Sequence, residues 1–201
     1  MGASPSKEPE LPTRVVIAED EAIIRLDLRE TLEEEGYEVV GETGRGDEAI
    51  ELTRSLRPDL AILDIKMPGL DGLAAAKAIT ADRLCAVLVL TAFSQREFIE
   101  QARDAGALAY LVKPFQKSDL VPAIELAIGR HREMAALADE VRDLGDQLET
   151  RKVVDRAKGI LMDSHGLSEG EAFSFIQRMA MSGRTKMRAI AERVVAGELA
   201  P

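Results

Sequence analysis

Arg57-Pro58-Asp59-Leu60-Ala61-Ile62-Leu63-Asp64-Ile65-Lys66-Met67-Pro68-Gly69-Leu70-Asp71-Gly72 carries the densest structural information in the chain. Leu60 to Leu63 is a short apolar run without a helical stripe, as expected of a strand covered on both faces in a parallel sheet. The run ends at Asp64, and Met67-Pro68-Gly69 supplies turn chemistry directly after it. A carboxylate just past the carboxyl end of a buried strand stands where open α/β sheets place their ligands. A strand-ending Asp that only accepts loop N–H bonds is the simpler alternative, so the rest of the chain has to decide.

On either side the same grammar repeats. Apolar runs at 14–18, 37–41, 59–63, 85–90 and 108–112 alternate with helix-like segments at about 21–35, 46–56, 70–81 and 95–105. Five strand–helix units in series predict an α/β fold, a five-stranded doubly wound parallel sheet. Gly36 and Gly106 stand where the first and fourth helices need a residue to leave the helix, and Pro58 precedes the third strand. Residues 1–12, with Pro, Gly, Ser and charge but no apolar period, are expected to be a disordered leader.

From Lys117 a helical period runs toward position 150. Within it Met134, Leu137, Val141, Leu144 and Leu148 form a short heptad seam. Such a seam suits a partner helix or a second copy of the chain, and equally a helix packed on its own domain. The remaining residues predict three short helices. The first, 148–164, carries Val153, Val154, Ala157, Ile160 and Leu161 on one face. The second opens on the capping box Ser168…Glu171 and carries Ala172, Phe173, Ile176, Met179 and Ala180 inside. Thr185 is the expected cap of the third. The expected division is therefore a leader at 1–12, an α/β domain at 13–120, a helical, coiled-coil-like linker at 121–147 and a small three-helix domain at 148–201.

Composition narrows the function. No run approaches the roughly 18 apolar residues that cross a bilayer, and no basic segment precedes an apolar one at the N-terminus; a cytoplasmic protein without a membrane partner is expected. The single cysteine, Cys85, sits in an apolar run and reads as a small buried hydrophobe, with no disulfide or thiolate metal site to be built from it. The net charge of −10 argues against nucleic acid, yet it is unevenly spread. Residues 151–201 carry nine Lys/Arg against six Asp/Glu, whereas residues 1–120 carry 14 against 23.

Laying the strand ends side by side brings Glu19, Asp20 and Glu21, then Asp64, Thr91 and Lys113-Pro114 to one edge of the sheet. Clustered carboxylates favour a divalent cation, and hard oxygen ligands suit Mg²⁺. Beside such a cation the Asp64 carboxylate could attack a phosphoryl group in line, with Lys113 and the Thr91 hydroxyl on its remaining oxygens.

The pattern Glu19-Asp20, Leu63-Asp64, Met67-Pro68-Gly69…Gly72, Thr91-Ala92 and Tyr110…Lys113-Pro114-Phe115 resembles the receiver domain of two-component response regulators. The resemblance implies a flavodoxin-like fold in which Asp64 accepts phosphate from a histidine kinase. It further implies that Glu19, Asp20, Asp64 and the backbone carbonyl of Lys66 surround Mg²⁺, that Thr91 and Lys113 contact the phosphoryl group, that Tyr110 is the aromatic switch coupled to Thr91, and that the bond before Pro114 is cis. Receivers usually begin the acidic pair with Asp or another acid; Glu19 keeps the charge and lengthens the reach. The only chemistry implied is self-catalysed phosphorylation and dephosphorylation of an aspartate, so the chain is read as a regulator rather than an enzyme.

The tail motif Val154-Asp155-Arg156-Ala157-Lys158-Gly159-Ile160-Leu161-Met162, followed by Gly166-Leu167-Ser168-Glu169…Glu171-Ala172-Phe173 and Ala189-Ile190-Ala191…Val194-Val195, resembles the ANTAR domain of transcription antitermination regulators. That implies binding of paired RNA stem-loops by a dimer, so that a terminator hairpin cannot form; a homodimer brought together by phosphorylation is the accompanying expectation. Arg151, Lys152, Arg156, Lys158, Arg178, Arg184, Lys186 and Arg188 are the candidate phosphate-contacting groups. Stacking is poorly served, because Phe173 is assigned to the inner stripe and only Phe175 lies off it. Gly159 inside a helix suggests close approach of another helix or a nucleic acid backbone. A tail that docks on a signalling partner instead of RNA is the rival from another class.

Overall fold

The computed structural model describes residues 11–201; of the expected leader, residues 1–10 lie outside the described residues. The described residues divide into two compact units, the first ending at Met134 and the second Ala135–Pro201.

The first unit is built on β1 (Arg14–Ala18), β2 (Glu38–Thr43), β3 (Leu60–Asp64), β4 (Ala86–Thr91) and β5 (Ala109–Val112), all parallel, in the order β2-β1-β3-β4-β5. Between them lie α1 (Ala22–Glu34), α2 (Gly46–Leu56), α3 (Gly72–Ala81) and α4 (Arg96–Asp104), and α5 (Lys117–His165) follows β5. β3 is buried along its whole length, and its side chains alternate between two cores. Leu60 and Ile62 join Leu28 and Leu32 of α1 and Leu120 and Ile124 of α5, while Ala61 and Leu63 join Ala49 of α2, Ala75, Ala76 and Ile79 of α3 and Ala102 of α4. This is the doubly wound sheet expected from the alternation. Gly36 and Gly106 leave α1 and α4 with φ of 84° and 86°, which a side chain would strain. Cys85 is buried, and burial pushes its thiol up to about 12, so it behaves as a hydrophobe.

Two boundaries differ in ways that matter. Asp64 and Thr91 are the last residues of β3 and β4, inside the strands rather than beyond them. And the helix expected to begin at 148 has no start of its own: α5 continues to His165, with Gly145 open on all sides and too weak a breaker to stop it.

In the second unit the C-terminal part of α5 packs with α6 (Glu169–Ser182) and α7 (Met187–Val195) around Val154, Ala157, Leu161, Ala172, Ile176, Ile190, Ala191 and Val194. The Ser168 box is formed: its hydroxyl accepts from the Glu171 N–H, and Glu171 accepts from the Ser168 N–H at 2.9 Å. Ser168→Ala is expected to lower the unfolding free energy of this module by about 1 kcal/mol, read from denaturant melts of the whole chain. Thr185 does not cap α7. Arg184 takes a left-handed φ of 47°, the chain turns there, and Lys186 becomes the capping residue without a side-chain bond.

Candidate functional site

The carboxyl edge of the sheet brings five of the predicted side chains together. β1 delivers Glu19, only 1 % exposed, and Asp20, which is exposed; β3 delivers Asp64. One carboxylate oxygen from each of these three acids lies within 4.8 Å of the others. From the far end of β5, the Lys113 ammonium reaches Glu19 Oε2 at 2.5 Å and Asp64 Oδ1 at 3.2 Å. Thr91, fully buried, accepts the Phe93 N–H at 3.3 Å. The Lys66 N–H donates to Asp64 Oδ2 at 3.1 Å, and the Lys113–Pro114 bond is cis.

Burial is the dominant influence on the acids. It raises the carboxyls of both Glu19 and Asp64, with the Lys113 ion pair pulling each back down and their mutual repulsion adding to the rise at Glu19. Glu19, the acid with the longer side chain, accepts from the Lys113 ammonium. Three hard carboxylate oxygens within 4.8 Å of one another are a donor set of the kind Mg²⁺ takes, an octahedral ion drawing its ligands in to about 2.1 Å.

Sequence reasoning missed the surroundings of this site. The Tyr110 hydroxyl donates to the Phe93 carbonyl, and the Phe93 ring stacks on Phe98 with centroids 4.6 Å apart. The Lys66 ammonium lies 5.8 Å from the Phe93 ring centroid, within cation–π range. Thr91, Phe93 and Tyr110 are thus linked through one loop; Thr91-Ala92 was legible, but nothing in the sequence assigned Phe93 a role.

In the second unit the candidate cations divide. Lys158 is held by Asp155 at 2.9 Å and Glu169 at 2.8 Å, Arg188 by Glu192 at 2.9 Å and Lys152 by Glu149 at 2.8 Å. Arg151 touches Asp155 only at 3.9 Å. Arg156, Arg178, Arg184 and Lys186 are exposed and have no carboxylate within 4.0 Å among the described residues. The aromatic assignment is reversed: Phe173 is 41 % exposed, while Phe175 packs against the core. Gly159 has no atom within 4 Å of where a Cβ would stand, so the close approach predicted there is not made within the described chain. Leu137, Val141, Leu144 and Leu148 of the heptad seam are all more than half exposed, so they do not pack on their own unit.

Among the described residues no helix is long and apolar enough to cross a membrane. Residues 15–125 match the response regulator receiver domain and residues 142–195 the ANTAR domain. The transcriptional regulatory protein PdtaR of Mycobacterium tuberculosis is 57 % identical over 194 residues, which is 96 % of this chain and 95 % of that protein. The chemotaxis protein CheY of Thermotoga maritima is 39 % identical over 55 % of this chain and 93 % of its own length. The signal receiver domain of a modulated diguanylate cyclase from Desulfovibrio desulfuricans superposes with a TM-score of 0.57 at 33 % identity, over 62 % of this chain and 99 % of that one. With an acidic rim at the carboxyl edge of a five-stranded parallel sheet and a helical module later in the sequence, the chain belongs to the two-component response regulators that join a receiver domain to an ANTAR domain.

Proposed function

We propose that this response regulator takes a phosphoryl group from a histidine kinase onto Asp64 and thereby controls binding of RNA stem-loops by its C-terminal helices, regulating transcription termination. The division behind this reading is a receiver over 13–120, a helical linker over 121–147 and an output domain over 148–201. One observation supports it above the others: Glu19, Asp20, Asp64 and Lys113 meet at a single rim.

In phosphoryl transfer an Asp64 carboxylate oxygen forms the new O–P bond as the bond from phosphorus to the donor imidazole nitrogen breaks, leaving that nitrogen to the kinase. Lys113, already within 3.2 Å of Asp64, neutralises charge on the incoming group, and the Thr91 hydroxyl donates to another of its oxygens. The carboxylates of Glu19, Asp20 and Asp64 and the Lys66 carbonyl would hold Mg²⁺, which supplies charge neutralisation at the phosphoryl oxygens. Withdrawal of Thr91 toward phosphate acts on Phe93 and hence on the Tyr110 hydroxyl that Phe93 accepts from. The exposed seam Leu137, Val141, Leu144 and Leu148 gives a second copy of the chain an apolar row to pair with.

The test is a titration of the whole chain against hairpin RNA at two salt concentrations, with and without a small-molecule phosphodonor. Saturable binding that weakens steeply with salt and tightens on phosphorylation is expected; absence of saturable binding would leave the tail as a protein-docking module. Arg184 adds a finer prediction. Its left-handed backbone costs an L-residue about 1 kcal/mol, so Arg184→Gly should hold or slightly raise stability while removing about 0.9 from the salt slope of RNA binding. An unchanged slope would remove Arg184 from the interface.

A further inference from the structure

Three surfaces of the molecule hold chemistry that the reading above leaves unused. An acidic hollow beside α2 is lined by four carboxylates with Leu52 and Ser55 and offers no cation, and Ile23 and Leu26 of α1, 84 % and 55 % exposed, make only a small apolar pair. The third is a groove of about 650 Å³ in the second unit, which has apolar, cationic and anionic walls together.

Phe173, Val154 and Met187 form the apolar part of that groove; Arg151, Lys186 and the already paired Lys158 stand on it as cations, and Asp143, Asp146 and Asp155 as carboxylates. Phe173 is the unusual member. Its neighbours on the outer row of α6, Gly170 and Gln177, are exposed, and the core beneath is closed by Ala172, Ile176 and Ala180 without it. An aromatic ring left 41 % exposed forfeits much of the burial that would justify its size. Resting on the proposal that the tail binds RNA, we infer that Phe173 is the stacking platform for one unpaired loop base, held in this groove with its phosphate on Arg151 or Lys186.

The mixed charge of the groove fits that occupant better than a duplex backbone. A phosphate track wants cations only, whereas a splayed base offers a face to an aromatic, amino hydrogens to a carboxylate and a phosphate to a cation. The volume lies in the range of small-molecule clefts, about 300–1,000 Å³, which suits one base and not a helix. Self-association through the heptad seam leaves one wall of the groove free: Asp143, Gln147 and Val154 of α5, at 3.6 residues per turn, stand roughly a third of a turn away from Leu137, Val141, Leu144 and Leu148, while Arg151 and Asp155 continue the seam's spacing along the groove's other edge.

The experiment uses the whole chain, phosphorylated by a small acyl phosphate, and a pool of hairpin RNAs sharing one stem and carrying randomised loops. The parent protein should select a loop motif, and 2-aminopurine placed in that motif should be quenched on binding. Phe173→Leu, which keeps apolar bulk but has no π face, should lose roughly 5- to 100-fold in affinity for the selected loop and lose the quench. Phe173→Trp should recover both, and unchanged helical content in each variant excludes misfolding. Selected RNA bound equally well by Phe173→Leu overturns the stacking role while leaving RNA binding intact. A change in self-association with RNA affinity unaltered overturns it in favour of a second copy in the groove. No saturable selection by the parent overturns this inference and the RNA reading together.

Discussion

Asp64→Asn is expected to take up no phosphoryl group from kinase or small-molecule donor, yet to melt at a higher temperature than the parent at neutral pH in chelator. The first half follows from the chemistry: the amide oxygen of Asn cannot form a stable acyl phosphate, and no other carboxylate at the rim ends a strand beside Thr91. The second follows from burial. Asp64 and Glu19 are both carboxyls raised by desolvation, and each is more protonated in the folded than in the unfolded chain over the window above its ordinary value of 3.8 or 4.5. A folded state that binds more protons loses stability as pH rises through that window. Asp64→Asn removes one such acid and relieves the repulsion on the other, so its advantage over the parent should grow from about pH 4 upward until the raised folded value is passed. Lys113 keeps Glu19 as a partner throughout, which limits the cost of the change. Radiolabel transfer and melts across pH check the two halves separately. Stoichiometric labelling of Asp64→Asn would sink the phosphoacceptor assignment, and a stability difference that narrows with rising pH would contradict the account of the acids.

Gly72→Ala should be the most damaging single methyl in the receiver. A Cβ at Gly72 would stand 1.8 Å from the Asp64 carbonyl oxygen and 2.8 Å from its carbonyl carbon, both backbone atoms that no rotamer change can move aside. Gly72 also donates its N–H to the Ile65 carbonyl at 2.9 Å, tying the start of α3 to the segment that follows Asp64. The chain has to open there, at a cost of about 3 kcal/mol, at the upper end of what overpacking brings. Because the displaced atoms belong to Asp64 itself, phosphoryl uptake should fall by about 100-fold even where the protein stays folded. Gly129→Ala is the control: it lies in α5 with no atom within 4 Å of the added methyl, and should be neutral or stabilising by up to about 1 kcal/mol. Denaturant midpoints and labelling rates decide the matter, and equal behaviour of the two variants would refute it.

Gly72 shows where the sequence stops being informative. Its place after Met67-Pro68-Gly69 could be read as part of a motif, but its reason is a backbone approach between α3 and β3 that exists only in three dimensions. The strands, their parallel order and the gathering of Glu19, Asp20, Asp64, Thr91 and Lys113 at one edge were legible, because period and strand-end position are local properties. The ion pairs of Lys113 were not, since a strand-end lysine says nothing about which carboxylate it will face. α5 read as a linker helix and a separate helix from 148, yet nothing between the two interrupts hydrogen bonds already propagating, and Gly145 weakens the helix by only about 1 kcal/mol. Phe173 was assigned to the core on the rule that apolar means inside. Ala172 and Ile176 already fill that side of α6, and the larger ring was left facing water.

Asp64 pairs with Leu90 as a rung of the β3–β4 ladder, flanked by Leu63 against Val89. Its main chain is therefore held by the ladder at the end of the sheet's central strand. On the proposed phosphoryl transfer, the parts outside that ladder are the ones expected to move: Phe93 and its loop on one side and the turn from Ile65 to Asp71 on the other. The signal proposed for this chain is then a rearrangement of rim against floor.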